Sequence, residues 1–100
     1  MKKTFKLEHP KIKLPRMVDS VKHDLRSYLK KQRKKPVPSG ATYWGFDCKV
    51  GLTEDVALDT HLSSLMSRVD ELVADNAITI YVELIPKAIT ATAKQPNEEN

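Results

Sequence analysis

The hydrophobic period of this chain switches four times between two residues and three to four, and each switch forces a change of element. Thr4-Phe5-Lys6-Leu7-Glu8 alternates polar and apolar, the spacing of a half-buried strand with Phe5 and Leu7 inward. His9-Pro10 ends it, because proline has no amide to donate to a ladder. Leu14, Met17, Val18, Val21, Leu25, Tyr28 and Leu29 then recur at three- and four-residue steps, which predicts an amphipathic helix over 16–34. Pro15 suits its first turn, and Pro36-Val37-Pro38-Ser39-Gly40 stops it. Trp44, Phe46, Cys48 and Val50 alternate with Tyr43, Gly45, Asp47 and Lys49, so a second strand is expected over 42–50. Thr53-Glu54-Asp55 reads as a helix start, and Leu58, His61, Leu62, Leu65, Met66, Val69, Leu72 and Val73 as the stripe of a second helix reaching 75 or 76. Ile78, Ile80, Val82 and Leu84 mark a third strand, which Pro86 is expected to end.

Strand, helix, strand, helix, strand predicts an α+β fold, a two-layer α/β sandwich with a three-stranded sheet and both helices on one face. The other sheet face is then open and carries Lys6, Tyr43, Asp47, Lys49, Thr79, Tyr81 and Glu83. At 100 residues, 40% hydrophobic and 30% charged, the chain suffices for one domain. Folding at this size buries about 65% of the unfolded surface, enough for a modest core. The domain is expected over 1–87, with 88–100 a disordered tail lacking apolar periodicity. No run approaches the roughly 18 apolar residues of a membrane span. Lys6, Glu8, His9, Lys11 and Lys13 break up any leader-like apolar stretch, and the lone Cys48 has no disulfide partner. A reducing, cytoplasmic setting is the expectation.

The net charge of +4 hides a segregation. Residues 1–40 hold thirteen Lys and Arg against three Asp and Glu, a net +10, while 41–100 hold four against ten, a net −6. Lys22, Arg26, Lys30 and Lys34 are spaced by four along the first helix, with Lys31 and Arg33 beside its last turn. Like charges at that spacing repel, and a phosphate backbone lying along them would relieve the repulsion while releasing its counterions. The expected nucleic-acid-binding residues are therefore Lys22, Arg26, Lys30, Arg33 and Lys34, extended by Lys11, Lys13 and Arg16. A solvated lysine-rich surface has the same pattern.

Other chemistry finds little support. Tyr43 and Tyr81 could stack unpaired bases on the open face, or serve cross-strand packing or a dimer contact. No C-x-x-C or H-x-x-x-H spacing occurs, so no metal site is expected. Cys48 and His61 are the only nucleophile and base drawn toward one interface, and burial makes a thiol inert. With three glycines and no phosphate-binding loop, no nucleotide cofactor is expected, and the chain reads as non-enzymatic.

The runs His9-Pro10-Lys11-Ile12-Lys13, Arg16-Met17-Val18-Asp19-Ser20-Val21-Lys22-His23 and Trp44-Gly45-Phe46-Asp47-Cys48-Lys49-Val50-Gly51 resemble a small family of short bacterial proteins of unknown function. The resemblance implies a bacterial cytosolic origin, and it carries no activity, ligand or catalytic residue to this chain. The partners expected from the residues themselves are RNA or another polyanion through the basic helix. The alternative is a protein partner or a second copy of the chain on the open sheet face.

Overall fold

The computed structural model describes residues 1–90. The strands are β1 (Lys2–Lys6), β2 (Tyr43–Gly51), β3 (Leu58–Thr60) and β4 (Thr79–Ile89), and the helices α1 (Leu14–Arg33) and α2 (Leu65–Ala74). Single 3₁₀ turns at Glu54–Val56 and Leu62–Ser64 flank β3. The fold is α+β, with a four-stranded sheet among the described residues, one strand more than expected, in the order β1-β4-β2-β3. Every neighbouring pair is antiparallel. β1 and β2 therefore run parallel with β4 between them, and β3 and β4 run parallel with β2 between them. Two β-α-β crossovers are interleaved and joined by the β2–β3 hairpin.

The extra strand comes from the segment expected to start the second helix. Leu58, His61 and Leu62 fit a helical stripe, yet Leu58 pairs with Val50 and Thr60 with Cys48. The hairpin depends on Gly51, where an added Cβ would lie 2.6 Å from the Ala57 Cα. His61 leaves the helix stripe and caps the second 3₁₀ turn, its Nδ1 accepting from the Ser63 amide at 3.2 Å. Only the ten residues of α2 are helical, and they end as expected near Asn76. Asn76 takes the left-handed conformation (φ 65°), and Asn76 N–H and Ala77 N–H close back onto the carbonyls of Val73 and Leu72.

β4 runs past Pro86, which pairs with Phe46 and does not end the strand. Pairing with β1 stops at Leu84 and Met1. Beyond that point β4 has no strand neighbour on its β1 side among the described residues, and a missing amide there costs no ladder bond. The strand takes in Ala88 and Ile89, which the sequence assigns to the tail; residues 91–100 of that tail lie outside the described residues.

Phe5, Phe46, Cys48, Val50, Ile80, Val82 and Leu84 form the inner sheet face and share one core with Val18, Val21, Leu25 and Leu29 of α1 and Leu65, Val69 and Leu72 of α2. Ile78, expected inward, is exposed in the turn before β4. Both helices lie side by side on that face, tied by Lys22 Nζ to Asp70 Oδ1 at 2.6 Å.

Candidate nucleic-acid interface

A four-residue step advances 400° around an α-helix, so residues spaced by four drift about 40° per step. From Lys22 to Lys34 the drift totals about 120°, and the four cations cannot share one line. Lys22 sits nearest the core: its side chain is 18% exposed and bound to Asp70. Arg33, the last residue of α1, is exposed and has no ion pair among the described residues, and its guanidinium lies 5.7 Å from the centroid of Phe46. Arg26, Lys30 and Lys34 face solvent and have no ion pair among the described residues. Of the five expected binding residues, the fold thus leaves Arg26, Lys30, Arg33 and Lys34 exposed and turns only Lys22 toward the protein.

Other cations extend the exposed group. Lys31 and Lys35 are exposed at the foot of the helix, and Lys11, Lys13 and Arg16 at its head. None of these has an ion pair among the described residues. Of the two acidic residues of the helix, Asp24 is held by Lys3 at 3.6 Å on the β1 side, and Asp19 is exposed near its head, where it offsets one cation. From Arg16 to Lys35 the ridge is about 28 Å long. The partial negative charge of a helix C-terminus, about half a unit, is small beside Lys30, Lys31, Arg33, Lys34 and Lys35.

The foot of α1 is pinned by a residue that the sequence places only in a strand. Trp44 Nε1 donates to the carbonyl of Lys35 at 2.9 Å, so the indole bridges from β2 to the end of the basic helix. A tryptophan eleven residues beyond the helix end, across a proline-rich stop, was the available signal.

The open sheet face has the opposite electrostatic character. Lys2, Glu83, Lys49 and Asp59 stand in register across all four strands, alternating in sign. Asp47 is bound by Lys87 Nζ at 2.7 Å. Tyr43 and Tyr81 do not meet there: Tyr43 pairs with Ile89 at one end of the β2–β4 ladder and Tyr81 with Gly51 at the other. Tyr81 is only 5% exposed, and its hydroxyl bonds Glu83 Oε1 at 2.9 Å. Desolvation, that hydrogen bond, and the charges of Glu83 and Glu54 push its phenol up to about 12. The tyrosine pair that could have offered a stacking surface on the open face is not formed.

Cys48 is buried, and burial with the neighbouring Asp47 charge raises its thiol above the usual range, Lys87 opposing. His61 is exposed and engaged with Ser63, its Nδ1 2.7 Å from the hydroxyl. Among the described residues no three His, Cys, Asp or Glu converge to hold a metal. No described helix is long and apolar enough to cross a membrane.

Comparison with curated proteins and with solved structures finds no match. A family of unknown function, DUF6172, matches residues 1–95, and with nearly its whole length covered the chain belongs to that family.

Proposed function

We propose that this protein is a non-enzymatic nucleic-acid-binding protein, RNA preferred, that holds phosphates along the outer face of α1. The observation that carries the reading is the set Arg26, Lys30, Arg33 and Lys34, exposed and without an ion pair among the described residues, flanked by Lys31 and Lys35 and continued by Arg16, Lys13 and Lys11. Paired surface cations gain little from a polyanion, because they must first give up a partner. Unpaired ones of like sign gain from it twice, through attraction and through relief of their mutual repulsion. Titrating short RNA and duplex DNA at two salt concentrations tests the reading. Four engaged phosphates give a slope of log K against log salt of about −3 for single strands and nearly −4 for duplex. Absence of binding at 50 mM salt would discard the reading.

A second reading, a homodimer through the open sheet face, is favoured by the charge row Lys2, Glu83, Lys49, Asp59. Turned about a two-fold axis parallel to the strands and midway between β4 and β2, the row faces its own reverse. Lys2 then meets Asp59 of the second copy, and Glu83 meets Lys49, so every facing pair is opposite in sign. The footprint is roughly 500 Å² from strand spacing and rise, below the roughly 800 Å² per partner of a standard interface, so the dimer would be weak. Light scattering across a concentration series checks it, and a monomer persisting to about 1 mM would sink it.

A further inference from the structure

Where the foot of α1 meets the start of β2, the surface holds a niche of about 610 Å³. β3 pairs only with Cys48–Val50, so residues 43–47 of β2 have no strand neighbour on that side among the described residues. Trp44 and Gly45 line this free edge, Leu62 closes one side, and Arg33, Lys35 and Val37 close the other. Tyr43, 52% exposed, stands at the rim.

We propose that this niche receives one unpaired nucleobase of an RNA strand whose phosphates run along α1, the base stacking against Trp44. The proposal rests on the reading of α1 as a phosphate-binding ridge and adds to it a site for the base. Three features carry it. Trp44 is half-buried, and its indole is fixed by the bond from Nε1 to the Lys35 carbonyl, so a stacking surface is already ordered before a ligand arrives. Cations crowd the same spot: Arg33 and Lys35 line the niche, and Lys34 lies between them in the chain, where the phosphates flanking a bound base would run. Arg33 and Lys35 also belong to the cationic foot of α1, so the niche and the ridge share residues one turn beyond Lys30. A wall of aromatic surface beside clustered cations is the combination that single-stranded nucleic acids need, since every base has a stacking face and every base is followed by a phosphate. A duplex keeps its bases stacked inside and can offer only phosphates to the ridge.

Trp44 is the single tryptophan, so its emission reports on the niche alone. The full chain is titrated at 50 mM salt with an oligoadenylate, with an RNA duplex of equal length, and with inorganic polyphosphate. The oligoadenylate is expected to quench Trp44 and to bind on the order of ten-fold tighter than polyphosphate, the gain expected from one base stacked on an aromatic ring. The duplex and polyphosphate should bind without that quenching. Trp44→Leu, followed by anisotropy of labelled RNA, should remove the preference for single strands; if that variant does not fold, the emission of the native protein still decides. Binding of oligoadenylate no tighter than polyphosphate, or equal quenching by all three, would overturn the base site while leaving the phosphate ridge in place. Failure of every polyanion to bind would overturn both.

Discussion

The outer face of α1 and the open face of the sheet are similarly rich in charge, yet one adds its charges up and the other cancels them. On α1 the neighbours of a side chain come from the same stretch of sequence, three or four residues away, and that stretch is almost uniformly basic. On the sheet the neighbours come from four separate stretches. β1 brings lysines from the basic part of the chain, β4 brings Glu83, and β3 brings Asp59 from the acidic part. A helix turns a local bias in composition into a patch, whereas a sheet whose strands come from oppositely charged segments mixes that bias away.

Charge reversal separates the two faces most sharply. Replacing Arg26, Lys30 and Lys34 together by Glu is expected to weaken RNA binding at 50 mM salt by a factor on the order of 100. Reversing Lys6, Lys49 and Lys87 on the sheet changes the net charge equally and should cost less than about three-fold, because the effect of a phosphate contact is local under screening. Equal losses in a direct titration would show that only net charge matters and would erase the distinction.

Gly51→Ala attacks the cover at one end of the sheet. Its Cβ would meet backbone of Ala57, which has no flexible end to move aside, so a loss of about 1–3 kcal/mol is expected in denaturant melts. Gly45→Ala would meet side chain only, the Ile89 Cγ1 at 2.8 Å and Cδ1 at 3.1 Å, which can shift more readily than backbone, and should cost less.

Asp70→Ala tests the cation that the fold withdraws from the ridge. Losing a partly exposed ion pair should cost up to about 1 kcal/mol, while Lys22 becomes free to join Arg26 and RNA binding tightens slightly. Weaker binding would contradict the assignment of Lys22 to the helix pair.

The last effect is confined to alkaline pH and is absent at neutrality. Tyr81 has its folded value raised to about 12 from an ordinary 10.0, so the folded state retains the proton that the unfolded state gives up. Its contribution is complete below about pH 10 and declines as pH rises toward 12. Stability curves of the native chain and Tyr81→Phe should run parallel below pH 10, with the native chain losing more above it.

Much of the fold was legible in the pattern. α1 begins and ends within two residues of expectation, and Phe46, Cys48, Val50, Ile80, Val82 and Leu84 face inward as their alternation requires. The second helix was overextended because Leu58, His61 and Leu62 fit a helical stripe while Leu58–Thr60 also fits a hairpin strand, and the close approach at Gly51 favours the hairpin. Pro86 misled for a related reason: whether a proline ends a strand depends on whether a neighbour needs its amide, and β1 is too short to need it. The candidate interface was legible as composition and spacing, but the sorting of Lys22 away from Arg26, Lys30, Arg33 and Lys34 needed Asp70 in place.

By itself, the order of residues determined the helix and strand periods, the inward faces and the excess of cations before Gly40, because each depends on neighbours a few positions apart. Tertiary structure alone decided the fourth strand, the insertion of β4 between β1 and β2, the burial of Tyr81 and the seating of Trp44 at the foot of α1. Those outcomes depend on contacts between segments distant in the chain, and periodicity carries no information about which distant segment will arrive.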